Sequence, residues 1–188
     1  MALFIIAGML IAKIKKYKIS CIFTRLDFYP LFAVEAVFIF FTITALCGNY
    51  DYVKYAPHIQ KAFVLALIPP ILARRLYLQS IIGCGLVIFG TALNRIVMYA
   101  NGGHMPVYPT LSRYTVYVTD EVLTMGVDDL HIPMTSLTKL NFLADYIDTG
   151  FSILSIGDMF IHSFTTIVVF YAIKKMNTVD LQGGDGNA

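Results

Sequence analysis

The chain has 188 residues, of which 57% are hydrophobic and only 14% charged, and its mean hydropathy is +0.70. Soluble domains carry about one quarter charged residues, so the composition excludes an ordinary water-exposed fold. The net charge of +2, with basic residues in short clusters beside apolar runs, offers no broad cationic patch and argues against a nucleic-acid partner.

Residues 2–12 are apolar and are followed by Lys13, Lys15, Lys16 and Lys18. A cleaved leader carries its positive residues first and a small-residue cleavage site later, so this run reads as a retained first helix. It covers only about 18 Å and crosses a bilayer only if its lysines snorkel toward the inner headgroups. Residues 29–47 are long enough for a full crossing of about 30 Å. They carry one acid, Glu35, about 9 Å above the inner end. Arg74 and Arg75 are its expected partners, and without one it stays protonated. Residues 56–73 contain Pro69-Pro70 and predict either a kinked span or one that thins the bilayer locally.

Residues 78–100 form the fourth run, with Gly83, Gly90 and Asn94 on one face as a close-packing seam. A tight turn follows at Asn101, Gly102, Gly103, His104, Met105 and Pro106, where Asn and Gly supply positive φ and Pro106 forbids helix continuation. Residues 101–150 form the one long extramembrane segment. Within it, residues 114–119 are β-prone and suggest a hairpin arm. Thr135 or Ser136 caps a predicted amphipathic helix with Leu137, Leu140, Leu143, Ala144 and Ile147 on one stripe, stopped by Gly150. Residues 151–173 are the fifth run. The polar, glycine-rich tail, residues 176–188, reads as disordered. Cys21, Cys47 and Cys84 fall at an inner loop, an outer helix end and mid-membrane, so no disulfide is expected.

Threading the runs alternately places residues 13–25, Arg74, Arg75, Lys174 and Lys175 on one side. By the enrichment of Lys and Arg in cytoplasmic loops, that side is the cytoplasm. The other side receives Asp51, Asp120, Glu121, Asp128, Asp129, Asp145 and Asp148, with Tyr50, Tyr52, Tyr55, Tyr99 and Tyr108 as an aromatic belt. The N-terminus is then outside and the C-terminus inside.

Ionisable groups within a span are expensive and are candidate sites by default. Asn94 and Arg95 lie about 8 Å from the outer end of the fourth helix, and Asp158 lies at matching depth, about 10 Å into the fifth. An Arg95–Asp158 ion pair that staples two helices is one reading; a polar floor of an outward-facing pocket is the other. Ser155, Asp158 and His162 share a helical stripe, as in a proton relay or as in mutually satisfied packing polars. His104, Met105, His131 and Met134 offer soft-metal ligand types, but two His-plus-Met pairs about 25 residues apart match no metal motif, and no metal or other cofactor is expected. No Cys–His dyad or nucleophile elbow is present, so no catalytic residue is assigned.

The runs from Leu93-Asn94 through Asn101-Gly102-Gly103-His104-Met105-Pro106-Val107, then His131, then residues 138–145, then Ser155-Ile156-Gly157-Asp158, resemble a bacterial membrane family known only as a domain of unknown function. The resemblance covers nearly the whole chain. It implies a fold and a membrane location rather than a reaction.

The sequence thus predicts an all-α, polytopic membrane helix bundle of about five transmembrane helices. It forms a single domain, residues 1–175, in a bacterial cytoplasmic membrane, with an outer cap at residues 101–150. The first functional reading is a non-enzymatic accessory or interaction protein working with a membrane partner or a second copy. The alternatives are a small-solute or ion transporter using Asn94, Arg95, Asp158 and His162, and an intramembrane enzyme with His131, Asp145 and Asp158 as acids or bases.

Overall fold

A computed structural model describes residues 1–52, 55–118, 123 and 130–183. The helices are α1 (Ala2–Ile14), α2 (Tyr29–Leu46), α3 (Ala56–Leu65), α4 (Ile68–Arg74), α5 (Tyr77–Ala100), α6 (Leu111–Thr115) and α7 (Ile156–Gly183). Two 3-10 turns, Ser20–Thr24 and Leu26–Phe28, lead into α2. The strands among the described residues are β1 (Met105–Val107), β2 (His131–Pro133), β3 (Ile147–Asp148) and β4 (Ile153–Leu154). Among the described residues, three stretches are long and apolar enough to cross a membrane: Leu26–Leu46, Tyr77–Ala100 and Ile156–Thr178. The expected all-α class is therefore right in the main. At 13 residues, or about 20 Å, α1 falls short of that length.

The chain divides into two compact units. The first comprises Met1–Ala36, Gln60–Gly85 and His162–Ala188. Its core is built by Ile22, Phe28, Leu31, Phe63, Leu67, Val168, Val169 and Ile173, all essentially inaccessible. Helix α1 lies close against α7 because Gly8 has no side chain: a Cβ there would meet the Thr166 carbonyl at 2.9 Å and Val169 at 3.0 Å. The Thr166 hydroxyl also donates to the Phe4 carbonyl at 3.0 Å. Gly83 accommodates the Phe164 ring in the same way, which is the first half of the expected glycine seam.

The run with Pro69-Pro70 is not one kinked helix. It breaks before the prolines: α3 stops at Leu65, Leu67 is the N-cap of the next helix and Pro69 falls in the first turn of α4. Proline is favoured there, since its missing N–H would have no partner in any case. Residues 176–183 also differ from expectation, because α7 runs through them to Gly183 where a disordered tail is predicted. An Asn177 side chain that donates to the Ile173 carbonyl and pairs with the Lys18 main chain ties that stretch down. Residues 184–188 lie outside the described residues.

The second unit comprises Val37–Ile59 and Leu86–Ile161. Its core gathers Val97, Met105 and Ala144, with Met98, Met134, Leu140 and Leu143 packed around them. Strands β1 and β2 pair in parallel, Met105 opposite His131, and Val107 bridges to Asp145 on the other edge. β3 and β4 form an antiparallel pair that leads into α7.

The amphipathic helix expected from Thr135 or Ser136 to Gly150 does not form. Residues 135–146 are turns, bends and irregular chain apart from the Asp145 bridge, and residues 147–148 are β3. Side chains take over the backbone here, the general reason Ser, Thr and Asn resist helix. The Thr138 hydroxyl donates to the Thr135 carbonyl, and Asn141 Nδ2 donates to the same carbonyl. Leu140 is left-handed at φ 57°. The hairpin arm at 114–119 fails too: residues 114 and 115 are in α6, and Val116 ends that helix at φ 61°. Residues 119, 120, 121, 128 and 129 of the expected arm and acidic cap lie outside the described residues.

The Asn101 turn is as expected, with Gly102 at φ 68° and Gly103 at φ 96°. Asn101 does more than turn the chain. Its Nδ2 donates to the Val97 and Lys139 carbonyls, each at 2.8 Å, and its Oδ1 accepts the Lys139 N–H at 2.8 Å. The amide therefore pairs with Lys139 as a strand residue would. Asn101→Ala should cost about 2 kcal/mol, since it leaves three backbone groups unsatisfied. Asn101→Asp keeps the bond from the Lys139 N–H but turns a carboxylate oxygen toward the Val97 and Lys139 carbonyls, so it should cost at least as much, as measured by denaturant unfolding in detergent micelles.

Candidate functional site

Asp158 sits in the first turn of α7, and the residues around it explain the Ser-Ile-Gly-Asp run. Ser155 precedes the helix and its Oγ accepts the Asp158 N–H at 2.9 Å, while Asp158 Oδ2 accepts the Ser155 N–H at 3.1 Å. This reciprocal pair is a capping box with aspartate in place of the usual glutamate. The negative carboxylate also lies at the positive end of the helix dipole.

Asn94 of α5 closes the arrangement. Its Nδ2 donates to Asp158 Oδ1 at 2.9 Å, and its Oδ1 accepts from the fully buried Ser155 hydroxyl at 2.8 Å. Gly157 and Gly90 let the backbones approach, because a Cβ on Gly157 would overlap Asn94 Oδ1 and the Gly90 carbonyl. The second half of the glycine seam is thus Gly90 against Gly157. The expected Arg95–Asp158 ion pair is absent. Arg95 is exposed on the other side of α5, one residue and about 100° around the helix from Asn94.

The remaining candidate residues separate by unit. Asn101, Gly102, Gly103, His104, Met105, His131 and Asp145 belong to the second unit with Asn94, Arg95, Ser155 and Asp158. Met105 and Met134 give their thioethers to the core around Val97 and Ala144, not to a soft-metal cluster with His104 and His131. Among the described residues, no group of three or more His, Cys, Asp or Glu side chains is placed to hold a metal ion. The His131 Nε2 lies 3.5 Å from Oδ2 of the buried Asp145. The Asp145 main chain runs beside β1, its N–H donating to Pro106 and its carbonyl accepting from Tyr108. When protonated, His131 thus forms an ion pair that ties β2 across β1 to this segment.

His162 and Glu35 belong to the first unit. His162 is buried between the Phe4 and Phe63 rings, at centroid distances of 5.0 and 6.3 Å. Glu35 is also buried, and its partner is neither Arg74 nor Arg75. Its Oε1 accepts the Ala2 N–H at 2.8 Å at the start of α1. Arg74 instead pairs with Asp27 at 3.1 Å.

Sequence reasoning missed one polar knot entirely. Asp148 Oδ2 accepts the Thr110 and Ser112 N–H groups at 2.6 and 2.8 Å, and Oδ1 accepts the Ser112 hydroxyl at 2.6 Å and the Gly150 N–H at 2.8 Å. Partial burial alone would raise the Asp148 carboxyl, but these bonds outweigh it and hold the group below the ordinary carboxylate value. Burial, then the Asp148 charge, pushes the Tyr117 phenol upward. The Asp-x-Gly spacing, which favours a local Asx turn, was the available signal.

Chemically, the Asn94, Ser155 and Asp158 set has its donors and acceptors matched to each other, and it holds α5 against the start of α7. None of the three cysteines is in a disulfide.

The chain matches the model of a family of unknown function (DUF5317) over residues 22–170. It is 30% identical over 102 residues to an uncharacterized protein of Thermotoga maritima, covering 51% of this chain and 54% of that protein. The chain therefore spans about half the length of the curated relative it matches. No solved structure matches. The matched segment reaches from Ile22 into α7 and includes Asn94, the Asn101 turn, β1 and β2, Asp148 and the Asp158 capping box, so the chain belongs to the family of unknown function DUF5317.

Proposed function

We propose that this protein is a multi-pass component of a bacterial cytoplasmic membrane. In this reading it works as a non-enzymatic accessory protein bound to a membrane partner or to a second copy. The observation that carries the reading is the use made of the intramembrane polar groups. Asp158 is closed off by Asn94 and Ser155, and Glu35 bonds to the start of α1. Polar groups committed to helix packing serve the fold.

The path of the chain supports several crossings. Arg74, at the end of α4, is held by Asp27 at the beginning of the first long apolar stretch. That contact supports a return crossing by α3 and α4 between Leu46 and Arg74. The basic residues support an inward C-terminus: Lys and Arg outnumber Asp and Glu by ten to four in the first unit, while acids outnumber bases by eight to four in the second.

Two measurements test this reading. Cys47, exposed just beyond α2, should react with a membrane-impermeant maleimide in intact cells, whereas Cys21 should react only after permeabilisation. Labelling in the reverse order would invert the orientation. Native mass spectrometry after mild extraction should show a bound partner or a second copy, and a lone monomer throughout would overturn the accessory role.

A further inference from the structure

The basic residues of the first unit are far apart in sequence, yet two tie points gather them. The Asn177 side chain holds the Lys18 main chain on both sides: Oδ1 accepts the Lys18 N–H at 2.7 Å and Nδ2 donates to its carbonyl at 3.1 Å. This sets the lysine-rich end of α1 beside the part of α7 that carries Lys174 and Lys175. The Lys175 Nζ in turn donates to the Arg74 carbonyl at 2.6 Å, which places its ammonium next to Arg75 at the α4–α5 turn. Lys13, Lys15, Lys16, Lys18, Arg75 and Lys174 are all exposed.

Among the described side chains, the acids of this unit are engaged elsewhere. Asp27 is engaged by Arg74, and Glu35 is buried on the Ala2 N–H. Large apolar side chains are interleaved with the charges, with Ile14 and Leu26 each 76% exposed and Phe23 53% exposed. Clustered cations with apolar side chains among them suit the boundary between acyl chains and phosphates.

We propose that this face of the first unit selectively binds anionic glycerophospholipids, their phosphates and acidic headgroups meeting the ammonium and guanidinium groups while Ile14, Phe23 and Leu26 enter the acyl boundary. It rests on the membrane reading above but not on the orientation, because lipid is present in both leaflets of a reconstituted bilayer. The electrostatic contribution near an anionic surface is about fivefold in affinity per basic residue, reduced by salt screening.

The test uses the full chain in nanodiscs of equal phosphatidylglycerol and phosphatidylcholine, with the lipids retained after release counted by native mass spectrometry. Phosphatidylglycerol should be enriched about tenfold or more among retained lipids, and raising the salt to about 0.5 M should weaken the enrichment. Changing Lys13, Lys15, Lys16 and Lys18 to Gln should reduce it at least fivefold. The Asn177 clamp grips main chain, so that variant should keep its fold, and an unchanged thermal midpoint checks this. The Arg95→Gln change, in the second unit, should leave the enrichment as it was.

Equal retention of the two lipids, or an enrichment indifferent to the four Gln changes in a folded variant, would overturn the proposal. Competition by inorganic phosphate at millimolar concentration would also overturn it, by showing a soluble-anion site. Reversed maleimide labelling with phosphatidylglycerol enrichment intact would separate failure of the orientation from failure of the lipid site.

Discussion

Replacing Gly157 with Ala should destabilise the protein by about 3 kcal/mol, among the largest effects of any single methyl group in this chain. The added Cβ would overlap Asn94 Oδ1 and the Gly90 carbonyl. Overpacking of this kind costs roughly 1–3 kcal/mol. Displacing Asn94 adds a second cost, since Asp158 Oδ1 and the buried Ser155 hydroxyl both lose their bond to it. A buried group left unsatisfied costs a further 1–3 kcal/mol, more when it is charged. Gly85→Ala provides the comparison, because nothing lies within 4 Å of a Cβ there. Removing a helical glycine without strain should leave stability unchanged or raise it by a few tenths of a kcal/mol. Denaturant unfolding of both variants in the same micelles decides the matter, and equal behaviour would show that the Gly90–Gly157 approach is not a determinant of stability.

Asp148→Asn should be of similar size, about 2–3 kcal/mol, for a different reason. Both carboxylate oxygens receive only donors: three backbone N–H groups, the Ser112 hydroxyl and, at 3.4 Å, the Thr110 hydroxyl. An amide presents two donors of its own to that ring and leaves at least one N–H group facing them, that of Gly150 or those of Thr110 and Ser112. Two of the acceptances are from Thr110 and Ser112 at the start of α6, which has no cap from its own sequence, so the helix should fray with the loss. The wild-type protein should show a matching pH dependence. The folded-state value of Asp148 is depressed, so its contribution is present above the ordinary value of 3.8 and is lost as pH falls below it. Tyr117 acts at the other extreme. Its folded-state value is raised above 10.0, so stability should decline as pH climbs past 10 and the unfolded chain ionises first. Limited proteolysis near Tyr117 across pH reports both arms, and a flat acid arm in wild type would remove the Asp148 argument.

These two sites also show what the sequence could convey. The long apolar runs were legible because bilayer thickness demands about 20 apolar residues whatever their neighbours. The seam at Gly83 and Gly90 was legible because small residues on one helix face have few other uses. The helix expected at 135–150 was not, although its leucines recur at helical spacing. Periodicity counts apolar residues, whereas the outcome turned on Thr135, Thr138 and Asn141 bonding the local backbone and on Asn101 taking Lys139 as a strand partner. The candidate site was half legible. Asn94, Ser155 and Asp158 do meet, but the expected Arg95 ion pair does not form, because one residue along a helix turns a side chain by about 100°. Glu35 found the first turn of α1, a backbone partner that no pattern of charges could announce.

The Asn177 clamp has one more consequence. It recognises the amide and carbonyl of residue 18 and is indifferent to the side chain between them, just as Asn101 reads the main chain of Lys139. The course of the lysine-rich segment is thereby separated from its composition. Substitutions at positions 15, 16 and 18 should rewrite the surface charge while the segment keeps its place, so a lineage moving between membranes of different headgroup content could retune this face without refolding the bundle behind it.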